Sequence, residues 1–316
     1  MVRSSLNPST VPEGTGGVAL PGLELAARLQ RHVEQLAGEI GERHVFRPPA
    51  LHAAEDYLRA VWAGQGWPVG AQDYAVSNVR CANLEVTLAG REAPHDLILI
   101  GAHYDTVRGS PGADDNASGV AALLELTGLL RATAPRCSLR FVAFVNEEPP
   151  FFFTGQQGSL VYARAARRRG DRIRLMLSLE MLGYYRDAPG SQRYPPLFRW
   201  FYPDRGDFIA LVANWRTRRA MHQLAAAFRA VTPFPLEHAA TFAWTPGVAW
   251  SDHLSFWRQG YRALMVTDTA FFLRNPHYHA ASDTPETLDY PRLAAVTAGL
   301  AGALNRLASE RPGFGL

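Results

Sequence analysis

Short apolar runs alternate with helical patterns along this chain, and this alternation limits the possible folds more than any other feature. Leu97–Ile100 is apolar at every position, as is typical of a strand that is covered on both faces. Helical stretches separate further short runs of this kind, which are Phe141–Val145, Leu175–Leu179 and Leu264–Thr267. Leu84–Leu88 alternates between apolar and polar residues and also predicts a strand. Strands that alternate with helices predict the α/β class, here a three-layer α/β/α sandwich with a central, mostly parallel mixed sheet.

The start of the chain differs in composition from the rest. Residues 1–20 are rich in Ser, Pro, Gly and Thr and show little apolar periodicity, which predicts a flexible N-terminal tail. From Leu23 to Ile40 apolar residues recur at three- and four-residue spacing, and a second helical pattern follows from Leu51 to Ala63; together they predict a helical hairpin before the sheet. Because we find no internal repeat and no later change of composition, we predict one folded domain over residues 21–312.

Composition and charge exclude some classes of protein. The chain has 316 residues, of which 47% are hydrophobic, enough for a sizeable core. Its 32 Lys and Arg residues exceed the 29 Asp and Glu residues by three, and the arginines are spread along the chain, so no nucleic-acid partner is expected. No run approaches the roughly 18 apolar residues of a membrane span. Since no secretory signal is visible, we expect a cytoplasmic protein by default, or a secreted or periplasmic one if the N-terminus is processed.

Histidine and acidic residues stand where predicted strands end. His103 and Asp105 come just after Leu97–Ile100, and Glu180 directly follows Leu175–Leu179. Proteins of the α/β class place ligand sites at the carboxyl ends of their strands. A lone histidine there is more often a polar residue that ends a strand, so His103 is informative only together with the other residues.

Two pairs of adjacent acids strengthen the pattern. Asp114 and Asp115 precede a predicted helix, with glycines on both sides, and a helix N-cap accounts for one acid but not for both. Glu147 and Glu148 follow the run Phe141–Val145. Adjacent carboxylates repel each other, so this second pair is either a solvated acidic turn or is held together by a bound divalent cation.

With one more histidine, these positions form a possible metal site of two histidines and three carboxylates. Nitrogen and oxygen donors of this kind suit zinc, with manganese or cobalt as alternatives. The two cysteines, Cys81 and Cys137, match no metal or redox spacing and could form one bridge or remain buried thiols. The candidate ligands at this point are His103, one acid of the pair Asp114–Asp115, one of the pair Glu147–Glu148, Glu180 and His279.

Five strings of the sequence carry a resemblance to a known family. They are GAHYDT (101–106), PGADDNASG (111–119), NEE (146–148), LEMLGYY (179–185) and YHAASDT (278–284). With these strings in this order, the chain resembles, from about residue 23 to residue 310, the zinc aminopeptidase family that includes bacterial leucyl aminopeptidase, aminopeptidase S, aminopeptidase Y and glutamate carboxypeptidase. The resemblance implies a phosphorylase/hydrolase-like zinc exopeptidase fold, and a metallopeptidase that hydrolyses the N-terminal peptide bond of peptides with two Zn²⁺ per chain.

The resemblance also implies how the ligands divide between the two ions. Asp115 would bridge them, with Glu148 and His279 on one ion and His103 and Glu180 on the other.

Three further residues would support the chemistry. Glu147 would act as general base toward a metal-bound water, the nucleophile. Asp105 would accept a hydrogen bond from the ring nitrogen of His103 that does not bind the metal, and would so fix the tautomer of that histidine. Tyr278 would stabilise the oxyanion, a role for which Tyr104 and Tyr184 are alternatives.

Two other functions remain open as alternatives. A glutaminyl cyclase shares the fold and three ligand positions but usually binds one zinc, and a non-catalytic binding protein would have lost ligands. The presence of both His103 and the Glu147–Glu148 pair favours hydrolysis. We expect a peptide or small amide substrate, and an aminopeptidase more than a carboxypeptidase, since no inserted domain or arginine cluster that resembles the carboxypeptidase version is evident. Side-chain preference and oligomeric state are not predicted.

Two more segments have alternative interpretations. Phe151–Phe153 follows the glutamate pair and forms either an apolar specificity wall or ordinary loop packing. Ser251–His253 either lies near the site, as its equivalent does in relatives, or is simply a helix N-cap at Ser251.

Overall fold

An eight-stranded sheet runs through the part of the chain that the computed structural model describes, residues 19–194, 200–269 and 274–310. Its strand order is β1-β2-β4-β3-β5-β8-β6-β7. The strands are β1 (Gly70–Val76), β2 (Val79–Leu88), β3 (Ala93–His103), β4 (Cys137–Phe144), β5 (Arg172–Glu180), β6 (Ile209–Asn214), β7 (Leu236–Thr241) and β8 (Ala263–Thr267).

The sheet is mixed, with a parallel centre. β4, β3, β5 and β8 are parallel neighbours, and β6 is parallel to β7. β2 runs antiparallel to both β1 and β4, and β6 runs antiparallel to β8. The predicted mostly parallel mixed sheet is therefore confirmed.

Helices cover both faces of this sheet. Side chains of β3 alternate between two cores: Ile98 and Ile100 pack into one, and Leu97 and Leu99 into the other. Helices α1, α2, α3, α5 and α7 contribute to the first core, and α4 and α6 to the second, which gives the predicted three layers. The helices are α1 (Ala19–Val33), α2 (Pro48–Gly64), α3 (Gly119–Leu130), α4 (Gly158–Arg169), α5 (Arg218–Arg229), α6 (His253–Arg258) and α7 (Tyr290–Ser309).

The N-terminal hairpin is present in the structure. Helix α1 continues as wider, π-helical turns over Glu34–Ile40 before α2 begins. Of the predicted tail, residues 1–18 lie outside the described part of the chain, and Ala19 begins α1. Residues 311–312 of the predicted domain also lie outside it, so the domain limits stay a prediction.

Three strands, β1, β6 and β7, are absent from the sequence-based prediction. β1 and β7 lie at the two edges of the sheet and are mostly half-exposed, so they lack a continuous apolar run. β6 is a buried apolar run of the same kind as the predicted strands, so the sequence carries a signal for it that the prediction missed.

Two open points about the chain are also answered. Cys81 on β2 and Cys137 on β4 are both buried and free, so they do not form a bridge. Within the described ranges, no helix has the length and apolar character that crossing a bilayer requires.

Candidate active site

The five predicted ligands lie together at the carboxyl edge of the sheet. His103 ends β3, Glu180 ends β5, and Glu148 follows β4. Because β3 lies between β4 and β5 and is parallel to both, the carboxyl ends of the three strands meet. Asp115 and His279 reach the same place from loops, and each lies within 3.5 Å of another predicted ligand.

Asp115 faces the two histidines with different oxygens. Its Oδ1 lies 3.3 Å from Nε2 of His103, and its Oδ2 lies 3.2 Å from Nε2 of His279. Oε2 of Glu180 lies 3.5 Å from the same nitrogen of His103, and Oε2 of Glu148 lies 3.2 Å from that of His279. The result is two groups of three side chains that share Asp115. A bridging aspartate requires this arrangement, while the ligand roles themselves stay predictions.

A tight turn positions Asp115. It lies within the irregular segment Ala113–Ser118, where its backbone is not helical. The preceding Gly112 has a φ of 62°, and a Cβ there would overlap the carbonyl oxygen of Asp115, so the turn requires glycine. Asp283 holds the turn from another loop, because its two carboxylate oxygens accept the backbone N–H groups of Asp114 and Asp115 at 2.9 and 3.1 Å.

No side chain of Asp114–Asn116 caps helix α3, so the expectation of an N-cap at one of these residues is wrong; the side chain of Asn116 bonds the backbone of Leu179 and Met181 instead. The carboxylate of Asp114 accepts the backbone N–H of Gly183 at 2.9 Å and the side-chain amide of Asn275 at 2.6 Å. That of Asp115 faces the histidines. Both side chains thus contact residues that are distant in the sequence, and α3 begins only at Gly119.

Asp105 supports the site in a different way from the predicted one. Its carboxylate oxygens accept the backbone N–H groups of Glu147 and Glu148 at 3.0 and 3.1 Å. Nδ1 of His103 instead lies 3.2 Å from the backbone carbonyl oxygen of Asp105, and 3.7 Å from the nearer carboxylate oxygen. Since a carbonyl oxygen can only accept, this contact places the proton on Nδ1 and leaves the lone pair of Nε2 for a cation.

Ser251 also supports the site, although the sequence left open whether it lies near the site or caps a helix. Its hydroxyl donates to Oε2 of Glu180 at 2.6 Å. Its oxygen lies 2.8 Å from Oγ of Ser178, and since the Ser251 proton is already used, Ser178 is the donor there. The side chain therefore orients Glu180, and the N-cap interpretation of Ser251 is wrong.

The charges within the site shift the pKa values of its members. Burial alone would lower the pKa of His279, but Asp115 and Glu148 raise it to about 10. Burial, together with the charge of Asp115, raises the pKa of Glu148 to about 8. Burial opposes ionisation of Asp115 too, yet the two histidines hold its pKa well below the usual range. The imidazole groups and the carboxylates of this group thus compensate each other electrostatically, which a bound cation between them would also do.

The residues present fit a divalent cation. Nε2 of His103 and Oε1 of Glu148 are buried and, among the described residues, have no hydrogen-bond partner, which is unfavourable unless something else binds them. His103, Asp115 and Glu148 each offer one ligand atom, and these atoms all lie within 4.8 Å of one another. Imidazole nitrogen and carboxylate oxygen are donors that suit zinc.

Glu147 stands beside this group without joining it. Its side chain is buried and lines the same cavity as Asp115, Glu148 and His279. Burial raises the pKa of Glu147 well above its ordinary value, and the neighbouring Glu148 adds to the rise while His103 opposes it. A carboxyl group with a raised pKa can hold a proton for part of a reaction.

A cavity of about 350 Å³ opens over the site, and both acidic and aromatic side chains line it. Phe152, Phe153 and Trp250 line the apolar part. Phe151 instead belongs to the hydrophobic core and stacks on Phe46 at a ring distance of 6.0 Å. Phe151 therefore agrees with the interpretation as packing, while a role of Phe152 and Phe153 in specificity stays a prediction.

The three candidate tyrosines occupy different places. Tyr278 lines the cavity and stacks on His279, with ring centroids 3.8 Å apart. The hydroxyl of Tyr104 is buried and donates to the carbonyl of Ala82 at 2.9 Å. Tyr184 lines a separate cavity. Of the three, Tyr278 alone lines the cavity that holds the predicted ligands.

Arg43 is a structural residue of the site that sequence reasoning missed. It is fully buried and donates to backbone carbonyl groups, among them those of Tyr104, Pro111 and Gly112 at 2.6–3.0 Å. These bonds tie the end of β3 to the turn that carries Asp115. Nothing in the sequence distinguishes Arg43 from the many surface arginines.

Comparison with known proteins agrees with this geometry. The sequence model of Peptidase family M28 matches residues 83–304. The chain belongs to this family. The predicted resemblance to the zinc aminopeptidases and the prediction of a peptidase are thereby confirmed.

Two relatives match this chain over different shares of their own length. The uncharacterized protein YfbL of Escherichia coli K12 is 39% identical over 282 residues, which cover 86% of this chain and 85% of that protein. The probable aminopeptidase YDR415C of Saccharomyces cerevisiae is 27% identical over 71% of this chain. This chain spans 56% of the length of that yeast relative.

Solved structures show the same fold at low identity. The zinc aminopeptidase BSAP of Bacillus subtilis superposes with a TM-score of 0.73 and 14% identity, covering 90% of this chain and 95% of that one. A glutaminyl cyclase of Fimbriiglobus ruber also shares the fold, with a TM-score of 0.65, 18% identity and coverage of 89% and 94%. At these identities the match concerns the fold, and the choice between the two activities depends on the site.

Proposed function

We propose that this member of Peptidase family M28 is an aminopeptidase that works with two zinc ions. The observation that carries the proposal is the position of Asp115, whose two oxygens face two different histidines at 3.3 and 3.2 Å. Each histidine has its own second carboxylate, Glu180 or Glu148. One metal would leave one of these groups without a charge partner.

The bound ions would lower the pKa of a water molecule and polarise the scissile carbonyl group. The chain itself supplies the proton transfers. The Glu147 carboxylate takes a proton from the attacking water and passes it to the leaving amine, and its raised pKa suits both steps. Asp105 fixes the backbone from which this side chain extends, and Tyr278 lines the cavity where an oxyanion forms.

The shape of the cavity supports hydrolysis at the amino end of a peptide. Phe152, Phe153 and Trp250 line it beside the predicted metal ligands, so an apolar first side chain can pack there while the adjacent peptide bond lies over the metal site. The names of the aminopeptidase relatives agree with this assignment.

The Glu147→Gln variant tests the catalytic role. Glutamine keeps the size of the side chain but cannot take up a proton, so we expect kcat on a leucyl dipeptide to fall by about 10²–10⁴-fold while zinc content, measured by mass spectrometry, stays at two ions per chain. Glu24→Gln, on the exposed face of α1, is the control and should behave as wild type. Near-normal turnover in Glu147→Gln would contradict the proposed role.

A glutaminyl cyclase is the alternative enzyme. The same preparation should therefore be tested with a peptide that begins with glutamine, and the products identified by mass. Free glutamine is expected. A cyclised N-terminus without hydrolysis, in protein that holds one zinc, would show that the aminopeptidase proposal is wrong.

A further inference from the structure

A second cavity borders the start of the loop that leads to His279, and arginines line it. Its volume is about 350 Å³. Arg186, Arg193 and Arg274 all contribute to the lining, and no acidic residue of the described chain does. A cavity with three cationic side chains attracts an anion.

Arg274 is the best evidence that this cavity binds something. The residue is only 5% exposed, and a buried charge needs compensation. Its Nε donates to Oε1 of Gln192 at 2.8 Å, and its Nη1 donates to the carbonyl of Phe208 at 2.7 Å. Its Nη2 is buried and finds no hydrogen-bond partner in the described ranges.

Asp268 does not accept a hydrogen bond from Nη2 of Arg274. Asp268 acts on Arg274 electrostatically, but its two carboxylate oxygens accept the backbone N–H of Tyr184 at 2.6 Å and the hydroxyl of Thr269 at 2.6 Å. Donor capacity therefore remains at Arg274.

Arg186 adds a second donor group at the cavity. Its guanidinium lies 4.1 Å above the ring of Tyr184, which also lines the cavity, and its Nη1 donates to the carbonyl of Tyr185 at 2.8 Å. Stacking on the ring holds the guanidinium plane in place. An arginine carries five N–H donors, so this one can still bind a ligand.

We propose that this arginine-lined cavity binds one anionic group, a carboxylate or a phosphate. Guanidinium groups bind both through paired, charge-assisted hydrogen bonds. Two sources can supply the group: a free anion, or the C-terminal carboxylate of a short peptide whose amino end occupies the active site. The second source is considered because the two cavities are linked by one contact: Tyr184, which lines this cavity, packs against His277, two residues before His279, at a ring distance of 5.9 Å.

Binding is tested first, without reference to activity. Inorganic phosphate is titrated into the metal-loaded full chain and followed by calorimetry. We expect saturable binding that weakens by about tenfold in each of Arg186→Ala and Arg193→Ala, since each removes charge-assisted bonds. Both residues are exposed, so the variants should fold. Arg168→Ala, an exposed arginine at the end of α4, should bind as wild type. Equal phosphate affinity in all four proteins would overturn the proposal.

The source of the anion is tested second, and this step rests on the proposed aminopeptidase function. kcat/KM is compared for Leu-Gly-Gly and its C-terminal amide. If the peptide carboxylate occupies the cavity, the free acid is the better substrate by about tenfold and loses that advantage in the two arginine variants. If a free anion occupies it, phosphate binding weakens in those variants while the ratio stays near one. Wild type that hydrolyses neither peptide would count against the proposed function, and the phosphate titration would still decide the anion site.

Discussion

Two adjacent glutamates show how identical side chains acquire different surroundings. Glu148 lies 3.2 Å from His279, whereas Glu147 faces the cavity. Asp105 accepts the backbone N–H groups of both glutamates and so fixes the backbone from which the two side chains extend. The proposed division between a metal ligand and a base would thus depend on a third residue that binds the backbone.

At the residue scale, the sequence identified the acids and histidines but not the bonds that hold them. Asp115 and Glu148 stand in recognisable strings after apolar runs, and a single sequence is enough to propose them. The contacts of Asp283 and Ser251 join segments far apart in the chain, and their side chains carry no local pattern that distinguishes such a bond from a turn or a helix cap. The same reason explains why Arg43 was missed.

His253 predicts a pH dependence of stability. Its Nε2 lies 2.7 Å from the carbonyl of Val248, and burial lowers its pKa to about 4, below the roughly 6.5 of an unfolded chain. As the pH falls, the unfolded state takes up the proton first. The contribution of His253 to the free energy of unfolding, about 3 kcal/mol, is therefore fully present above about pH 6.5. It is lost progressively as the pH falls to about 4.

The test is the free energy of unfolding in urea at pH 7.5 and 4.5, for wild type and for His253→Gln. Glutamine keeps a donor for Val248 but does not titrate. The variant should lose less stability between the two pH values than wild type does. An equal loss in both proteins would mean that the pKa of His253 is not lowered.

At the element scale, the sequence located the strands that must be buried. β3, β4 and β5 each appear as an apolar run because helices cover both of their faces. Their order in the sheet did not follow from the pattern, since it depends on how distant crossovers and helices pack. The edge of the sheet that holds the site could nevertheless be predicted, because the carboxyl ends of parallel strands lie at the same edge whatever their order.

The turn between β3 and α3 predicts a clear contrast between two glycines. Gly112→Ala puts a side chain at a φ of 62° against the carbonyl of Asp115, so the turn must move and the aspartate with it. We expect a loss of about 1–3 kcal/mol in unfolding free energy and a fall in zinc content after dialysis.

Gly109→Ala is the matched control. Its φ is 84°, but a Cβ there meets no atom within 4 Å, so strain is added without displacement of Asp115. This variant should lose some stability and keep its zinc. If both variants retain the same amount of zinc, the close approach at Gly112 does not position the ligand.

At the scale of the whole molecule, the active site concentrates negative charge that the fold must balance. Asp105, Asp114, Asp115, Glu147, Glu148 and Glu180 are all buried. The fully buried Arg43 offsets part of this charge, and Asp105 and Asp115 in turn act on its guanidinium. Burial of so many like charges opposes folding unless cations are bound.

Removal of metal should therefore weaken the whole fold. At a free zinc concentration about a hundredfold above Kd, each ion stabilises the folded state by about 2.7 kcal/mol. We expect the melting temperature followed by circular dichroism to drop by several degrees when a chelator strips the protein, and to recover when zinc is added back. A melting temperature that stays constant while mass spectrometry shows complete loss of metal would contradict this expectation.

The paired backbone bonds made by Asp105 and Asp283 have a consequence for large-scale mutagenesis. Each aspartate uses both carboxylate oxygens on consecutive N–H groups of an acidic pair, and asparagine offers only one acceptor oxygen for the two. In a saturation library scored by growth or turnover, these two positions should tolerate as few substitutions as the metal ligands themselves. Intolerance to substitution would then mark the full set of residues that shape the site, and metal content measured variant by variant would sort the ligands from the residues that hold their backbone.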